Sequence, residues 1–268
     1  MLDINQLKSI ESNHMINSYH QAEDYFFRAL STQCLDTTQI ATAYMTGVPT
    51  RDHNFVYVRK PIDLIDALLT RCKEFYDQEN LLFTVLIPKE FCTPEIKQAT
   101  WNAGYYQAGN SIAMVAELKS AAENQLDQGL TICQHGADLT NWMIPLVEAF
   151  VSTLNITSRY VKAHNNATEI GADLRHFSLY ENGEIVSSMT LSLHNTFARI
   201  DDVATLPSFQ RKGYASKLVK YALSEAYKLG ATHCFLEASD YGLPLYHRLG
   251  FSPLFENNIY SYADTEPF

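Results

Sequence analysis

The residues best suited to chemistry lie in positions 200–216, where an apolar strand leads through a short turn into a helix. The start of a helix leaves its first backbone N–H groups without partners and carries about half a positive charge. Gly213 would let the main chain approach a ligand closely, and Ala215 keeps the next position small. Arg211 and Lys212 add two positive charges beside them. This combination predicts a binding site for a phosphate or pyrophosphate group.

Two motifs around this turn occur in a fixed order. The first is Gln210-x-x-Gly-x-Ala, which follows the strand end Val-Ala-Thr-Leu-Pro at residues 203–207. The second is Leu-Tyr246-x-x-x-Gly-Phe, at the end of a short helical segment farther along the chain. Together they resemble the two signatures of the GCN5-related N-acetyltransferase (GNAT) superfamily. The resemblance implies an N-acetyltransferase that uses acetyl-CoA as its co-substrate and no metal.

The resemblance also implies which residues contact acetyl-CoA. They are the strand end, the turn with the helix start, and one residue beyond the next strand. These positions are Val203, Ala204, Thr205, Gln210, Arg211, Lys212, Gly213, Tyr214, Ala215, Ser216 and Ser239. Many relatives have an asparagine where this chain has Ser239, so the contact at that position departs from the family pattern. In the family, the strand before the turn diverges from its neighbour and frees backbone groups for the pantetheine arm.

Acetyl transfer to an amine requires the amine in its uncharged form. An alkyl ammonium has a pKa near 10.4 and is less than about 0.1% neutral at pH 7, so a general base would help. The candidate bases are Asp201, Asp202 and Glu237, each of which could instead be a solvated or salt-bridged carboxylate. Side chains alternate along a strand, which predicts that Asp201 and Asp202 point to opposite faces. His194 is a weaker alternative, at the end of a hairpin.

The departing thiolate also needs a proton. Tyr246 matches the tyrosine that commonly supplies it in the family, and a phenol with a pKa of about 10 is a workable donor to a thiolate. The same tyrosine could instead pack its helix on the sheet. Cys234 lies among apolar residues, so nothing activates it as a nucleophile. We therefore expect direct attack of the amine on the thioester in a ternary complex. A non-catalytic acyl-CoA sensor or protein-interaction scaffold is the alternative.

The composition narrows the partners and the location. The chain has 268 residues, of which 46% are apolar, so it can bury a large core. Its net charge of −10 argues against nucleic acid or an anionic membrane as the main partner. The five cysteines show no metal-binding spacing, and no leader or membrane-spanning run is evident. We expect a cytoplasmic monomer or homodimer that binds a small-molecule or peptide amine.

The hydrophobic patterns predict a mixed α/β fold. From residue 130 onward they indicate a strand, helices, three strands, a helix, a strand, a helix and two strands, which is the GNAT order. The first half shows a weaker repeat of the same order of elements. It has a strand at residues 54–59, a helix from Pro61, a strand at residues 81–87, a helix capped by Thr93, and two strands within residues 105–118.

Aligning the sequences of the two halves shows which motif residues the first half lacks. Thr100 stands opposite Tyr246, and Arg59-Lys60-Pro61 occupies the place of the glycine turn. We therefore predict a degenerate GNAT-like domain at residues 1–120, a linker at 121–129 and a catalytic GNAT domain at 130–268. An unrelated α/β extension is the alternative for the first half.

Overall fold

The computed structural model describes residues 4–37, 39–120 and 126–262 of the chain. The first half begins with one long helix and continues with five strands and two helices. Its elements are α1 (Ile4–Leu30), β1 (Gln33–Thr37), β2 (Ala41–Met45), β3 (Asn54–Val58), α2 (Ile65–Asp77), β4 (Thr84–Pro88), α3 (Pro94–Asn102) and β5 (Tyr105–Glu117). None of the helices in the described ranges is long and apolar enough to cross a membrane.

The second half repeats this order with an extra strand and an extra helix at its start. Its elements are β6 (Leu130–His135), α4 (Met143–Ala149), α5 (Leu154–Glu169), β7 (Leu174–Glu181), β8 (Glu184–His194), β9 (Phe197–Thr205), α6 (Tyr214–Lys228), β10 (His233–Ala238), α7 (Leu243–Arg248) and β11 (Ser252–Tyr262). Strands β1 to β3 correspond to β7 to β9, and α2, β4, α3 and β5 correspond to α6, β10, α7 and β11. The two halves therefore repeat one order of elements, as a tandem arrangement requires. The division at residues 121–129 stays a prediction, since residues 121–125 lie outside the described ranges.

The described strands form one sheet of 11 strands, in the order β1-β2-β3-β4-β11-β5-β10-β9-β8-β7-β6. The two halves interlock at its centre. Strand β11 of the second half lies between β4 and β5 of the first half, antiparallel to both. Strand β5 in turn lies between β11 and β10. Each half thus places its last strand inside the sheet of the other.

This exchange corrects the prediction of two final strands in each half. Residues 105–118 form one long strand rather than two, and a single described strand follows α7. The second antiparallel strand that each half requires comes from the other half. Gly109-Asn110 within β5 would suit a turn, but this segment stays extended because it pairs with β11 along most of its length and with β10 in its second part.

The two faces of the sheet carry different helices. Helices α2, α3, α6 and α7 cover one face, where α6 packs Leu218, Val219 and Ala222 against the strands of its own half. Helices α1, α4 and α5 cover the other, which we call the α1 face. Its core joins Phe27 and Tyr57 of the first half to Leu146 of the second. The candidate site lies on this shared face.

We expect neither half to fold alone. Without β11, strands β4 and β5 would lose the partner between them and expose unpaired backbone groups. The full chain should unfold in one cooperative thermal transition. Residues 1–120 alone should stay unfolded, which corresponds to the loss of a free energy of unfolding of about 5–15 kcal/mol. Circular dichroism of residues 1–120, of 121–268 and of their equimolar mixture tests this. A cooperative melt of residues 1–120 by themselves would contradict it.

Candidate active site

Strands β9 and β10 separate at the centre of the second half. They pair in parallel only through the register from His233↔Phe197 to Phe235↔Arg199. Beyond that point β9 continues to Thr205 beside β8, while β10 continues beside β5. The gap between them leaves the facing backbone groups of both strand ends free for a ligand. This is the divergence that the family resemblance implied.

A β-bulge in β9 decides where its two carboxylates point. Met189 of β8 stands opposite two residues of β9, Asp202 and Val203. Asp202 adopts a φ of 59°, an uncommon left-handed conformation for a residue other than glycine. The bulge interrupts the alternation of side chains, so Asp201 and Asp202 both line one cavity. The prediction that they point to opposite faces is therefore wrong.

Asp202 lies in a nearly closed environment, with a side chain only 10% exposed. The Tyr160 hydroxyl donates to its Oδ1 at 2.9 Å and the Thr190 hydroxyl to its Oδ2 at 2.7 Å. His164 Nε2 lies 3.5 Å from Oδ2. Burial and then the charge of Asp201 raise the pKa of Asp202 to about 7, although the two hydrogen bonds act in the opposite direction. Near neutral pH this carboxyl is therefore suited to accept a proton.

Asp201 is bound to an arginine that sequence reasoning missed. Arg199 donates through Nε to Oδ2 at 2.9 Å and through Nη2 to Oδ1 at 2.9 Å. The guanidinium is almost completely buried and lies over the rings of Tyr19 and Phe27. Each charge compensates the other in this low-dielectric environment. The spacing Arg-x-Asp on one strand, which places both side chains on one face, is the signal that could have found the pair.

Glu237 lies on the same face but accepts hydrogen bonds on both carboxylate oxygens. Oε1 accepts from the Ser111 hydroxyl and from Asn257 Nδ2, the latter at 2.9 Å. Oε2 accepts from the hydroxyls of Tyr57 at 2.5 Å and of Tyr19 at 3.3 Å. The donors come from α1, β3, β5 and β11. Glu237 therefore ties β10 to the first half, and its lone pairs are occupied.

The turn before α6 forms an open cradle of backbone donors, residues 211–216. None of their N–H groups donates to a backbone carbonyl of the described chain, and the next residue, Lys217, donates to Gly213 O at 3.1 Å. Gly213 has a φ of 87°, and a Cβ atom there would meet nothing within 4 Å. Arg211 and Lys212 are exposed beside it. The diphosphate of acetyl-CoA fits this combination of free donors, positive charge and open space.

Other residues proposed for the cofactor site have side-chain partners of their own. The Tyr214 hydroxyl donates to Glu181, so only its backbone is available to the cradle. Gln210 Nε2 donates to Thr205 O at 3.2 Å and fixes the turn to the strand end. Ser239 Oγ accepts from Gly242 N at 3.3 Å, at the start of α7.

Tyr246 is buried on the other face of the sheet. Its ring covers Gly242, where an added Cβ would approach to 2.8 Å, and it meets the edge of Phe251 with centroids 5.9 Å apart. Burial and then the charge of Asp201 raise the pKa of Tyr246, which keeps the phenol protonated at neutral pH. A phenol that stays protonated suits the role of an acid.

The remaining candidates lie outside the site. His194 stacks on Tyr25 at the end of its hairpin, with ring centroids 4.4 Å apart. Burial raises the pKa of the Cys234 thiol, which disfavours the nucleophilic thiolate. Among the described residues, no cluster of three or more His, Cys, Asp or Glu side chains is placed to hold a metal ion.

A cavity of about 730 Å³, which we call the inter-half cavity, opens beside the two aspartates on the α1 face. The first half supplies one of its walls, from α1 and the segment between β2 and β3. The second half supplies the other, from α4, α5 and β9. Its lining includes Phe26, Phe27, Leu30, Pro49, His53, Phe55, Leu146, Phe150, Val151, Ile156, Tyr160, Asp201 and Asp202.

Comparison with known proteins agrees with this geometry. Residues 145–251 match the family described as the acetyltransferase (GNAT) family. The match begins within α4, ends just before β11 and includes both sequence motifs. This part of the chain therefore resembles a GNAT-family domain. No curated protein sequence gives a significant match to the chain.

Solved structures resemble the chain over nearly its full length. A GCN5-related N-acetyltransferase from Kribbella flavida is 15% identical, with a TM-score of 0.67 over 92% of this chain and 95% of the other. One from Sphaerobacter thermophilus is 16% identical, with a TM-score of 0.60 over 82% and 76%. A tandem GNAT protein from the clavulanic acid biosynthesis pathway is 12% identical, with a TM-score of 0.57 over 89% and 85%. At these identities the similarity establishes the fold.

Proposed function

We propose that the protein is an acetyl-CoA-dependent N-acetyltransferase that acetylates a primary amine by direct attack in a ternary complex. The divergence of β9 and β10 is the observation that carries this proposal. The strand that ends at the cradle is the same strand that presents Asp202 to the inter-half cavity. A thioester lying along the gap would therefore meet an amine entering from the cavity.

Residues of this chain would accept the proton that the amine loses and donate the proton that the thiolate gains. Acetyl-CoA, when bound at the cradle, supplies the acetyl thioester. Asp202 would accept the proton from the amine as the new N–C bond forms, since the nitrogen becomes more acidic as it acquires positive charge. Its pKa of about 7 leaves a substantial ionised fraction at neutral pH. Arg199 and Asp201 would keep the neighbouring charge fixed.

Tyr246 would deliver the second proton, to the departing thiolate. Tyr246→Phe should lower kcat about 10²-fold, because general acid catalysis is lost while the ring and its packing remain. Stopped assays of thiol release give kcat, and calorimetry gives the affinity for acetyl-CoA, which should stay nearly unchanged. Tyr227→Phe, an exposed tyrosine on α6, is the matched control. An unaltered kcat in Tyr246→Phe would show that this residue is not the acid.

Two measurements test the proposed function as a whole. Calorimetry with acetyl-CoA asks whether the cradle binds, and thiol release across an amine panel asks whether transfer follows. Binding with turnover on at least one amine is the expected result. Binding without turnover on any amine would support a sensor or scaffold instead, and absence of binding would overturn both.

A further inference from the structure

The inter-half cavity has a large apolar wall area and a polar floor. Aromatic and aliphatic side chains from both halves make up this area, including Phe26, Phe27 and Phe55 of the first half and Leu146 and Ile156 of the second. Polar side chains, among them Arg51, Asp52, Thr153 and Thr157, complete the lining. The side chains of Asp201 and Asp202 are only 13% and 10% exposed and form the floor. A ligand that fills this space must therefore present a polar end to the floor and an apolar body to the walls.

One side of the cavity mouth is also apolar. Phe150 and Val151, at the turn between α4 and α5, are 57% and 92% exposed, and Leu154 beside them is 63% exposed. Val151 has a φ of 50° because it ends α4 in a Schellman arrangement, in which Ser152 N donates to Val147 O at 2.8 Å. Exposed apolar groups at a cavity entrance are a feature of binding sites.

The floor carries a single uncompensated negative charge. Arg199 balances Asp201 through two hydrogen bonds, whereas Asp202 receives only the neutral hydroxyls of Tyr160 and Thr190. The histidines nearby add no positive charge at neutral pH, since burial lowers the pKa of both His53 and His164. The floor thus suits one ammonium group. A second cationic centre in the same ligand would meet one further lining carboxylate, Asp52, which is exposed to solvent and would therefore contribute little.

We propose that the inter-half cavity binds a small primary monoamine whose amino group is attached to an apolar group of aromatic size. This inference rests on the proposed function and specifies its acceptor. The ammonium group lies at Asp202, and the apolar group lies between Phe27 of the first half and Ile156 of the second. The cavity volume of about 730 Å³ is within the usual range for a small-molecule site. The first half, which lacks the cradle, thereby determines the acceptor.

A panel of amines tests the class directly. The amines are 2-phenylethylamine, ethanolamine, spermidine and a short peptide with a free N-terminus, each assayed for thiol release from acetyl-CoA with the full chain. We expect kcat/KM for 2-phenylethylamine to exceed that for ethanolamine by about 30-fold or more, as burial of a phenyl group implies. Equal or higher values for ethanolamine, spermidine or the peptide would overturn the inference while leaving the acetyltransferase proposal intact.

A cavity-filling variant tests the location. Ile156→Trp should raise KM for 2-phenylethylamine roughly tenfold, because the indole occupies the space of the apolar group. Ile170→Trp, at the exposed end of α5 and away from the cavity, is the matched control and should leave KM unchanged. An equal KM in Ile156→Trp and the unaltered protein would place the amine elsewhere.

A binding measurement separates this inference from the proposed function. Calorimetry should detect 2-phenylethylamine binding to the unaltered protein without acetyl-CoA, and the binding should weaken in Ile156→Trp. Such binding with no thiol release from any amine would support the cavity assignment and overturn the acetyltransferase proposal. Absence of amine binding together with turnover of polar amines would overturn the cavity assignment and support the acetyltransferase proposal.

Discussion

Replacing Gly213 with glutamate should weaken acetyl-CoA binding by at least about 10³-fold, since several charge-assisted hydrogen bonds of about 1.5–3 kcal/mol each would be lost together. Gly213 has a φ of 87° and open space where its Cβ would be. A glutamate side chain would extend into that space and place a carboxylate beside the free N–H groups of residues 211–216, where the diphosphate should bind. Calorimetric titration with acetyl-CoA gives the affinity, and thiol release gives the loss of activity.

The matched control is Gly171→Glu. Gly171 has a φ of 92°, and a Cβ there would also meet nothing within 4 Å, so the backbone strain introduced by the two substitutions is comparable. It follows α5 and lies away from the cradle. Comparable thermal stability of the two variants, with affinity lost only in Gly213→Glu, is the expected pattern. Unchanged affinity in Gly213→Glu would remove the basis for the proposed cofactor site.

Asp202→Asn should lower kcat/KM for the acceptor amine by about 10² to 10⁴, the usual contribution of a general base. The amide is similar in shape, so the hydrogen bond from Thr190 or Tyr160 can be kept in part while proton acceptance is lost. Affinity for acetyl-CoA should not change, because the cradle is separate from the cavity floor. A decrease in kcat/KM of less than tenfold would indicate that another group or water acts as the base.

The pH dependence provides an independent readout of Asp202. The base must be ionised, so kcat/KM should rise as the pH increases through about 7, the pKa of this carboxyl in the folded protein. This rise should be absent in Asp202→Asn. The Thr190 hydroxyl lowers the pKa of Asp202, so Thr190→Val should move the rise to higher pH. A profile that is the same in all three proteins would show that Asp202 does not titrate in catalysis.

The same pKa has a consequence for stability. Burial raises the pKa of Asp202 above its unfolded value, so the folded state binds the proton more tightly than the unfolded state does. Stability should therefore fall as pH rises between about 4, where the unfolded carboxyl titrates, and about 7, and then level off. Asp202→Asn should show no such fall, so above pH 7 it should melt no lower than the unaltered protein. This result would show that Asp202→Asn loses activity without losing stability.

Local features of the fold followed from the sequence because neighbouring residues determine them. Thr93 caps α3 as predicted, with its hydroxyl accepting from Ile96 N at 3.3 Å. The turn at Asn182 and Gly183 has positive φ at both residues and joins β7 to β8. The cradle before α6 likewise depends on the order of a strand, a glycine and a helix. These features need only the intrinsic preferences of a few adjacent residues.

The sequence by itself therefore determined most of the order of elements after residue 54, the similarity between the two halves and the turn that should hold the diphosphate. Tertiary structure alone decided which half supplies each central strand, because antiparallel pairing is equally satisfied by strands of either half. It also decided that Asp201 and Asp202 share one cavity, through a bulge that no local sequence pattern indicated. The donors to Asp202 and Glu237 come from distant elements, from Tyr160 and Thr190 in one case and from Tyr57 and Asn257 in the other. Such contacts depend on packing between elements far apart in the chain, so they cannot be predicted from the spacing of residues along the sequence.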